Sequence, residues 1–172
     1  NLLALFRIAL APLMLWFFID RNNPIFSSWH PSWFDYFAGL IFVIASITDF
    51  FDGFIARNWN QMTKLGGILD PLADKMLVLA GFIGLIVIDR ASAWAVFLIL
   101  SREFFITGLR VVAVSEGKDV ASTMAGKIKT VIQMIAIGFL IMNWPFATEL
   151  LWLAVILTIY SGYEYTRDYF KN

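Results

Sequence analysis

The sequence contains no cysteine and only one histidine, His30. The absence of cysteine excludes disulfide bonds, thiolate metal sites and cysteine nucleophiles. With a single imidazole in the chain, any bound metal would have to rely on oxygen ligands. Charged residues are also sparse, at 15% of 172 residues, and 13 basic side chains balance 13 acidic ones. Net charge therefore gives no indication of nucleic-acid binding.

The residues that dominate the chain are apolar, since 60% are hydrophobic and 17% are aromatic. An excess this large cannot all be hidden in one small core, so the composition predicts a polytopic helical membrane protein. The chain begins at Asn1 without a methionine, and we expect a few residues to precede it. No cleavable signal is expected, because Arg7 lies in the first apolar run and no small-residue cleavage site follows that run.

The apolar residues are grouped into segments of membrane-spanning length. A helix needs roughly 20 apolar residues to cross a bilayer. Six segments approach that length: Leu2–Ile19, Phe34–Asp52, Asp70–Ile88, Ser92–Val114, Ala121–Met142 and Phe146–Tyr165. Short polar or turn-forming stretches separate the segments, and no linker or repeat is visible. Residues 1–172 are therefore predicted to form one all-α domain of six transmembrane helices.

Lysine and arginine are distributed unevenly between the two predicted sides of the membrane. One side carries Arg57, Lys64, Arg110, Lys118, Lys127, Lys129, Arg167 and Lys171. The opposite side carries Arg21 and Arg90. Because cytoplasmic loops are enriched in basic residues, the first side is predicted to face the cytoplasm.

Four aspartates lie near the cytoplasmic ends of two predicted spans. Asp49 and Asp52 are three residues apart in the second segment, so they share one helix face. Asp70 and Asp74 are four apart in the third segment and also share a face. Antiparallel pairing of these helices would bring the carboxylates together, where they repel each other unless a cation neutralises them. Oxygen ligands suit Mg²⁺, Mn²⁺ or Ca²⁺, and two ions could share four carboxylates.

Each aspartate also has a structural interpretation. Asp70 precedes Pro71, and this pair is typical of a helix N-cap and first turn. Asp52 could pair with Arg57, and Asp74 with a nearby lysine. Charges inside apolar spans are costly. The presence of all four aspartates at these spacings therefore favours a shared site at the cytoplasmic ends of the two helices.

The spacing of the aspartates extends to a longer pattern. From Asp49 to Asp74 the chain reads D-x2-D-G-x2-A-R-x8-G-x3-D-x3-D. This pattern resembles the signature of the CDP-alcohol phosphotransferases, and every fixed position is filled. The resemblance implies that Asp49, Asp52, Asp70 and Asp74 hold two Mg²⁺ or Mn²⁺ ions against the CDP diphosphate. It also implies that Asp74 is the catalytic base. Four further positions would bind the CDP group: Gly53, Ala56, Arg57 and Gly66.

A second set of charged residues lies in the fourth and fifth segments. Arg102 and Arg110 are eight residues apart, about two helical turns, so they share a face. Lys127 and Lys129 lie near the start of the fifth segment. Guanidinium groups combined with lysines suit a dianionic phosphate, which makes these four residues candidates for binding the phosphate of an acceptor.

The same charges have a simpler interpretation. Arg102 could pair with Glu103 or with Asp74, which would neutralise it without any ligand. The two lysines could be the basic residues that cytoplasmic loops normally carry. Both interpretations remain open at the level of the sequence.

Further stretches resemble the bacterial branch of the family that makes phosphatidylglycerophosphate: residues 1–7, 101–110, 126–130 and 161–165. The resemblance implies transfer of the phosphatidyl group of CDP-diacylglycerol to sn-glycerol 3-phosphate, with release of CMP. It also implies a homodimer in the bacterial cytoplasmic membrane, with the active site facing the cytoplasm. A sibling enzyme that uses inositol phosphate, serine or phosphatidylglycerol is an alternative. A cation transporter is a remoter one, since no internal repeat of the transporter kind is visible.

Overall fold

The computed structural model describes residues 2–20, 31–59, 64–118 and 124–171, with side chains described for all of these except 31, 32, 50, 52–59 and 64–71. Six helices occur in these ranges: α1 (Leu2–Ile19), α2 (Pro31–Trp59), α3 (Lys64–Val87), α4 (Ala93–Ser115), α5 (Met124–Met142) and α6 (Ala147–Lys171). No strand occurs in the same ranges. The predicted all-α class is therefore confirmed.

The helices follow the predicted segments, but three of them are longer at their polar ends. α2 continues past Asp52 to Trp59. α3 begins at Lys64, well before Asp70, so Asp70 lies inside the helix and the N-cap interpretation of this residue is wrong. α6 continues beyond the predicted span to Lys171. Polar residues can extend a helix beyond an apolar segment, because the hydrogen bonds between its backbone N–H and C=O groups form within the helix itself.

Three helices, α3 to α5, are followed within two residues by a residue whose backbone is in the left-handed conformation. These residues are Asp89 (φ 61°), Gly117 (φ 73°) and Asn143 (φ 55°). Glycine, asparagine and aspartate tolerate this conformation best, which is why they end helices so often. The amide of the next residue bonds back into the last helical turn, as Lys118 does to the carbonyl of Ala113 at 2.8 Å. The predicted breaks between these spans are confirmed.

The helices form two compact units, Asn1–Arg90 with α1 to α3 and Ala91–Asn172 with α4 to α6. In the first unit, α1 packs against both α2 and α3. In the second, α6 packs against both α4 and α5. The prediction that residues 1–172 form one domain stays a prediction.

A buried stripe on α1 organises the first unit. Its residues recur every three or four positions, as one helix face requires: Ala4, Arg7, Ala11, Met14 and Phe18. Four of these are apolar and the fifth is an arginine.

An ion pair lies at the end of the unit opposite to Arg7, where both terminal nitrogens of Arg90 donate to the carboxylate of Asp35 at 2.9 and 3.0 Å. Arg90 thereby ties the residues after α3 to the beginning of α2.

Two helices of the described chain are long and apolar enough to cross a membrane, Leu2–Ile19 and Met124–Met142. Only 33% of each is buried within the protein, so most of their apolar surface points outward. Outward-facing apolar surface is what a helix in contact with lipid requires. Within the described residues, the other four helices do not meet this criterion of length and apolar composition. Six membrane crossings therefore stay a prediction.

Candidate active site

The first unit contains a cluster of three charged residues from three helices. Arg7 of α1 is completely buried, and its Nη1 donates to Oδ1 of Asp49 on α2 and to Oδ1 of Asp74 on α3, the latter at 2.9 Å. The side chains of Asp49 and Asp74 remain 43% and 44% exposed. The two carboxylates thus converge on one buried nitrogen, while both aspartate side chains stay partly exposed.

The packing of α1 explains why these residues meet. The buried faces of α2 and α3 both lie against α1. On α2 the buried alanines Ala38 and Ala45 lead to Asp49 at one further helical turn. On α3 the fully buried Ala73 is adjacent to Asp74. Small side chains allow the helices to approach closely, and this closeness lets one arginine reach both carboxylates.

Arg7 is the residue of this site that sequence reasoning missed. The repulsion between the aspartates was expected to be offset by metal alone, whereas the protein itself supplies a buried cation. A signal was present in the sequence, because an arginine in the middle of an apolar run is costly and needs a partner. Only the packing of α1 against the other two helices identifies that partner.

The remaining predicted residues of the first site lie in helices but outside the described side chains. Asp52, Gly53, Ala56 and Arg57 belong to α2, and Gly66 and Asp70 belong to α3. Two of the four predicted metal ligands, Asp49 and Asp74, therefore have described side chains. Among the residues that the structure describes, no group of three or more Asp, Glu, His or Cys side chains is placed to hold a metal ion. The oxygen atoms of the two aspartates are the type of donor that a hard divalent cation prefers.

The second unit contains a separate cluster of charged residues. Glu103 of α4 accepts hydrogen bonds at the same oxygen, Oε1, from Arg102 Nη1 at 3.1 Å and from Lys129 Nζ at 2.5 Å. Arg102 also donates from Nη2 to the hydroxyl of Ser161 on α6 at 3.1 Å. The side chains of Arg102 and Lys129 are only 14% and 8% exposed. Two cations and one anion are thus held together in a largely apolar interior.

The other two predicted acceptor-site residues lie differently. Arg110 is exposed on α4, and its guanidinium carbon is 5.6 Å from the ring centroid of Tyr165 on α6. Arg102 and Arg110 both contact α6, as their shared helix face predicts. Lys127 is exposed on α5, about 200° around the helix from the buried Lys129. The structure therefore brings Arg102 and Lys129 together and leaves Lys127 on another face.

These contacts bear on both interpretations of the charged residues in the fourth and fifth segments. Arg102 does pair with Glu103, as the simpler interpretation holds. Lys129 does not behave as a loop charge, because it is buried in α5 and bonded to the same glutamate. A buried cation pair that shares a single carboxylate retains an excess of positive charge. The simpler interpretation therefore accounts for the position of Arg102, and these three side chains together carry one net positive charge.

Comparison with known proteins gives consistent matches along the chain. The family model for CDP-alcohol phosphatidyltransferases matches residues 1–160. The Bacillus subtilis (strain 168) protein named CDP-diacylglycerol--glycerol-3-phosphate 3-phosphatidyltransferase is 48% identical over 134 residues, which cover 73% of this chain and 69% of that protein. The protein of the same name from Escherichia coli (strain K12) is 37% identical over 176 residues, covering 96% of this chain and 91% of that protein.

Proposed function

Because this chain belongs to the CDP-alcohol phosphatidyltransferase family, we propose that it transfers the phosphatidyl group of CDP-diacylglycerol to sn-glycerol 3-phosphate. The products are phosphatidylglycerophosphate and CMP. Relatives at 48% and 37% identity carry the name of this reaction. The observation that carries the proposal is the convergence of Asp49 and Asp74, two aspartates of the signature, on Arg7, with both side chains partly exposed.

The acidic residues fit the divalent metal on which this family generally depends. Asp49, Asp52, Asp70 and Asp74 would hold two ions, Mg²⁺ or Mn²⁺, through carboxylate oxygens. When bound, the metal would draw charge from the diphosphate and stabilise CMP as it leaves. Arg7, which is completely buried, would hold two of the carboxylates in place from the buried side.

The chain's own groups would perform the proton transfer. The free primary hydroxyl of glycerol 3-phosphate attacks the phosphorus that carries diacylglycerol, and the bond from that phosphorus to the oxygen bridging to CMP breaks. Asp74 would accept the proton that the hydroxyl loses, as a general base. The hydrogen bond from Arg7 goes to one oxygen of Asp74, Oδ1, and so restrains the orientation of the carboxylate.

The acceptor would be bound by the second cluster. Its phosphate is a dianion, and Arg102, Arg110, Lys127 and Lys129 are the candidate partners. The excess positive charge around Glu103 supports this role for Arg102 and Lys129 in particular. Gly53, Ala56, Arg57 and Gly66 would bind the CDP group. The enzyme would be a homodimer of six-span subunits in the cytoplasmic membrane, with its site facing the cytoplasm.

An assay of the purified protein with CDP-diacylglycerol, Mg²⁺ or Mn²⁺ and a panel of labelled alcohols tests the proposal. We expect incorporation of glycerol 3-phosphate in preference to inositol phosphate, serine and phosphatidylglycerol. Preferential incorporation of any other alcohol would overturn the acceptor assignment.

Single substitutions test the site. Asp49→Asn and Asp74→Asn should lower CMP release by about a hundredfold or more, because each removes a charge that the transition state requires. Asp168→Asn is the matched control, since Asp168 lies near the end of α6 in an ion pair of 3.7 Å with Arg167 and should leave the rate unchanged. Near-normal CMP release by the Asp74 variant would rule out its role as base.

A further inference from the structure

The side chain of Arg102 lies against the backbone of α6 at a buried glycine. A Cβ atom placed on Gly162 would be 3.1 Å from Cγ of Arg102 and 3.3 Å from its Nε. Contacts this short need the neighbour to move by a few tenths of an ångström. Glycine leaves room at this point for the arginine to pass close to the helix.

The residue before this glycine holds the end of the same side chain. Ser161 is 1% exposed and accepts a hydrogen bond from Nη2 of Arg102 at 3.1 Å. Its own hydroxyl donates to the carbonyl of Thr158 at 3.0 Å, one turn earlier in α6. Because the serine proton is committed to that carbonyl, a lone pair of the oxygen remains directed to the arginine. Glu103 holds the other terminal nitrogen, Nη1.

These contacts hold both terminal nitrogens of the guanidinium and do not use its Nε–H donor. Nε of Arg102 is buried and has no hydrogen-bond partner among the described residues. A buried donor without a partner carries a free-energy cost, which a bound acceptor oxygen would remove. The middle of the side chain cannot shift freely, since both ends of the guanidinium are held.

We propose that Ser161 and Gly162 are positioning residues that set the guanidinium of Arg102 for the phosphate of the acceptor. The inference rests on the proposed function, in which Arg102 binds that phosphate. Gly162 supplies the space for the arginine stem, and Ser161 supplies the hydrogen bond that fixes its orientation. Neither residue contacts the acceptor in this role, so both act through Arg102.

Steady-state kinetics of Gly162→Ala and Ser161→Ala test the inference. Each substitution should raise the KM for glycerol 3-phosphate by about tenfold, the size expected when a hydrogen bond to a charged group is lost or displaced. The KM for CDP-diacylglycerol should change less than about twofold on the same scale. Gly138→Ala, on α5 with open space around its added Cβ, is the matched control for glycine. Ser115→Ala is the control for serine, because the exposed Ser115 donates its hydroxyl to the carbonyl of Val112 within α4.

A double-mutant cycle with Arg102→Ala separates positioning from general packing. If the two residues act through Arg102, then Gly162→Ala and Ser161→Ala should have little further effect on the acceptor KM once the arginine is gone. Equal increases in both backgrounds, or a parallel loss of kcat and of lipid binding, would overturn the inference. Ser161→Ala keeps the test decisive even if Gly162→Ala fails to fold.

The same cycle distinguishes a failure of the inference from a failure of the proposed function. If Arg102→Ala leaves the KM for glycerol 3-phosphate unchanged, then Arg102 does not bind the acceptor and the proposed function of this residue fails. If Arg102→Ala raises that KM while Ser161→Ala and Gly162→Ala do not, then the positioning inference alone is wrong.

Discussion

At the scale of single residues, Arg7 has the largest consequence for the site. One buried guanidinium holds two carboxylates that come from different helices. A buried charge is stabilised only by such partners, and removal of either side leaves the other uncompensated. Arg7 therefore couples the folding of the first unit to the geometry of its acidic residues.

Replacement of Arg7 should impair catalysis through the two aspartates. We expect Arg7→Gln to lower the rate of CMP release by about a hundredfold, since small displacements of catalytic groups have effects of that order. Arg7→Lys keeps the charge but not the planar donor geometry, and should recover part of the rate. The initial rate at saturating substrates is the measurement.

Arg167→Gln is the control for this experiment, because Arg167 is 46% exposed near the end of α6. It should keep the parent rate. A parent-like rate for Arg7→Gln would show that the aspartates hold their positions without the arginine.

At the scale of helices, the first unit depends on the close approach of α1 and α3. Gly84 of α3 faces the buried ring of Phe18 on α1, and an added Cβ would lie 2.8 Å from Cβ of Phe18 and closer still to the ring. Ring and backbone atoms cannot move apart there without separating the helices. The same packing brings Arg7 to Asp74 three turns away along α1.

Gly84→Ala should therefore destabilise the protein by about 1–3 kcal/mol, the usual cost of an extra methyl group in a packed interior. Alanine is otherwise the better helix former, so Gly138→Ala should be neutral or stabilising by up to about 1 kcal/mol. Thermal unfolding in detergent measures both. An unchanged or higher midpoint for Gly84→Ala would show that α1 and α3 are not in close contact.

At the scale of the whole molecule, the exposed surface is unusually apolar. Large side chains such as Trp94, Phe146 and Phe170 are each more than 70% exposed. A soluble monomer rarely exposes so many apolar groups together, whereas a bilayer covers them. The family match and this surface both favour a membrane-embedded enzyme.

The six-span topology can be tested directly because the chain has no cysteine. Ser115→Cys at the end of α4 and Thr148→Cys near the start of α6 are both exposed positions. In intact cells, a membrane-impermeant maleimide should label the cysteine at 148 and not the one at 115. Labelling at 115 should appear after the membrane is permeabilised. The reverse pattern, or labelling of both in intact cells, would contradict the predicted orientation.

The sequence by itself determined the helices and the family. Apolar runs and turn residues such as Gly117 and Asn143 depend on local interactions, so the number of helices and several of their ends followed from composition and spacing. The pattern from Asp49 to Asp74 resembles the family signature, and the match to the family model confirms that membership.

Only the tertiary structure decided which residues from different helices meet. Arg7 lies 42 and 67 residues from its two aspartates in the chain, and Arg102 lies 59 residues from Ser161. Helical periodicity gives the face of a residue but not the helix packed against it. The structure therefore added Arg7 to two of the expected aspartates, Asp49 and Asp74, and it placed Lys129 and Lys127 on different faces of α5. The metal ligands predicted at Asp49, Asp52, Asp70 and Asp74 all stay a prediction.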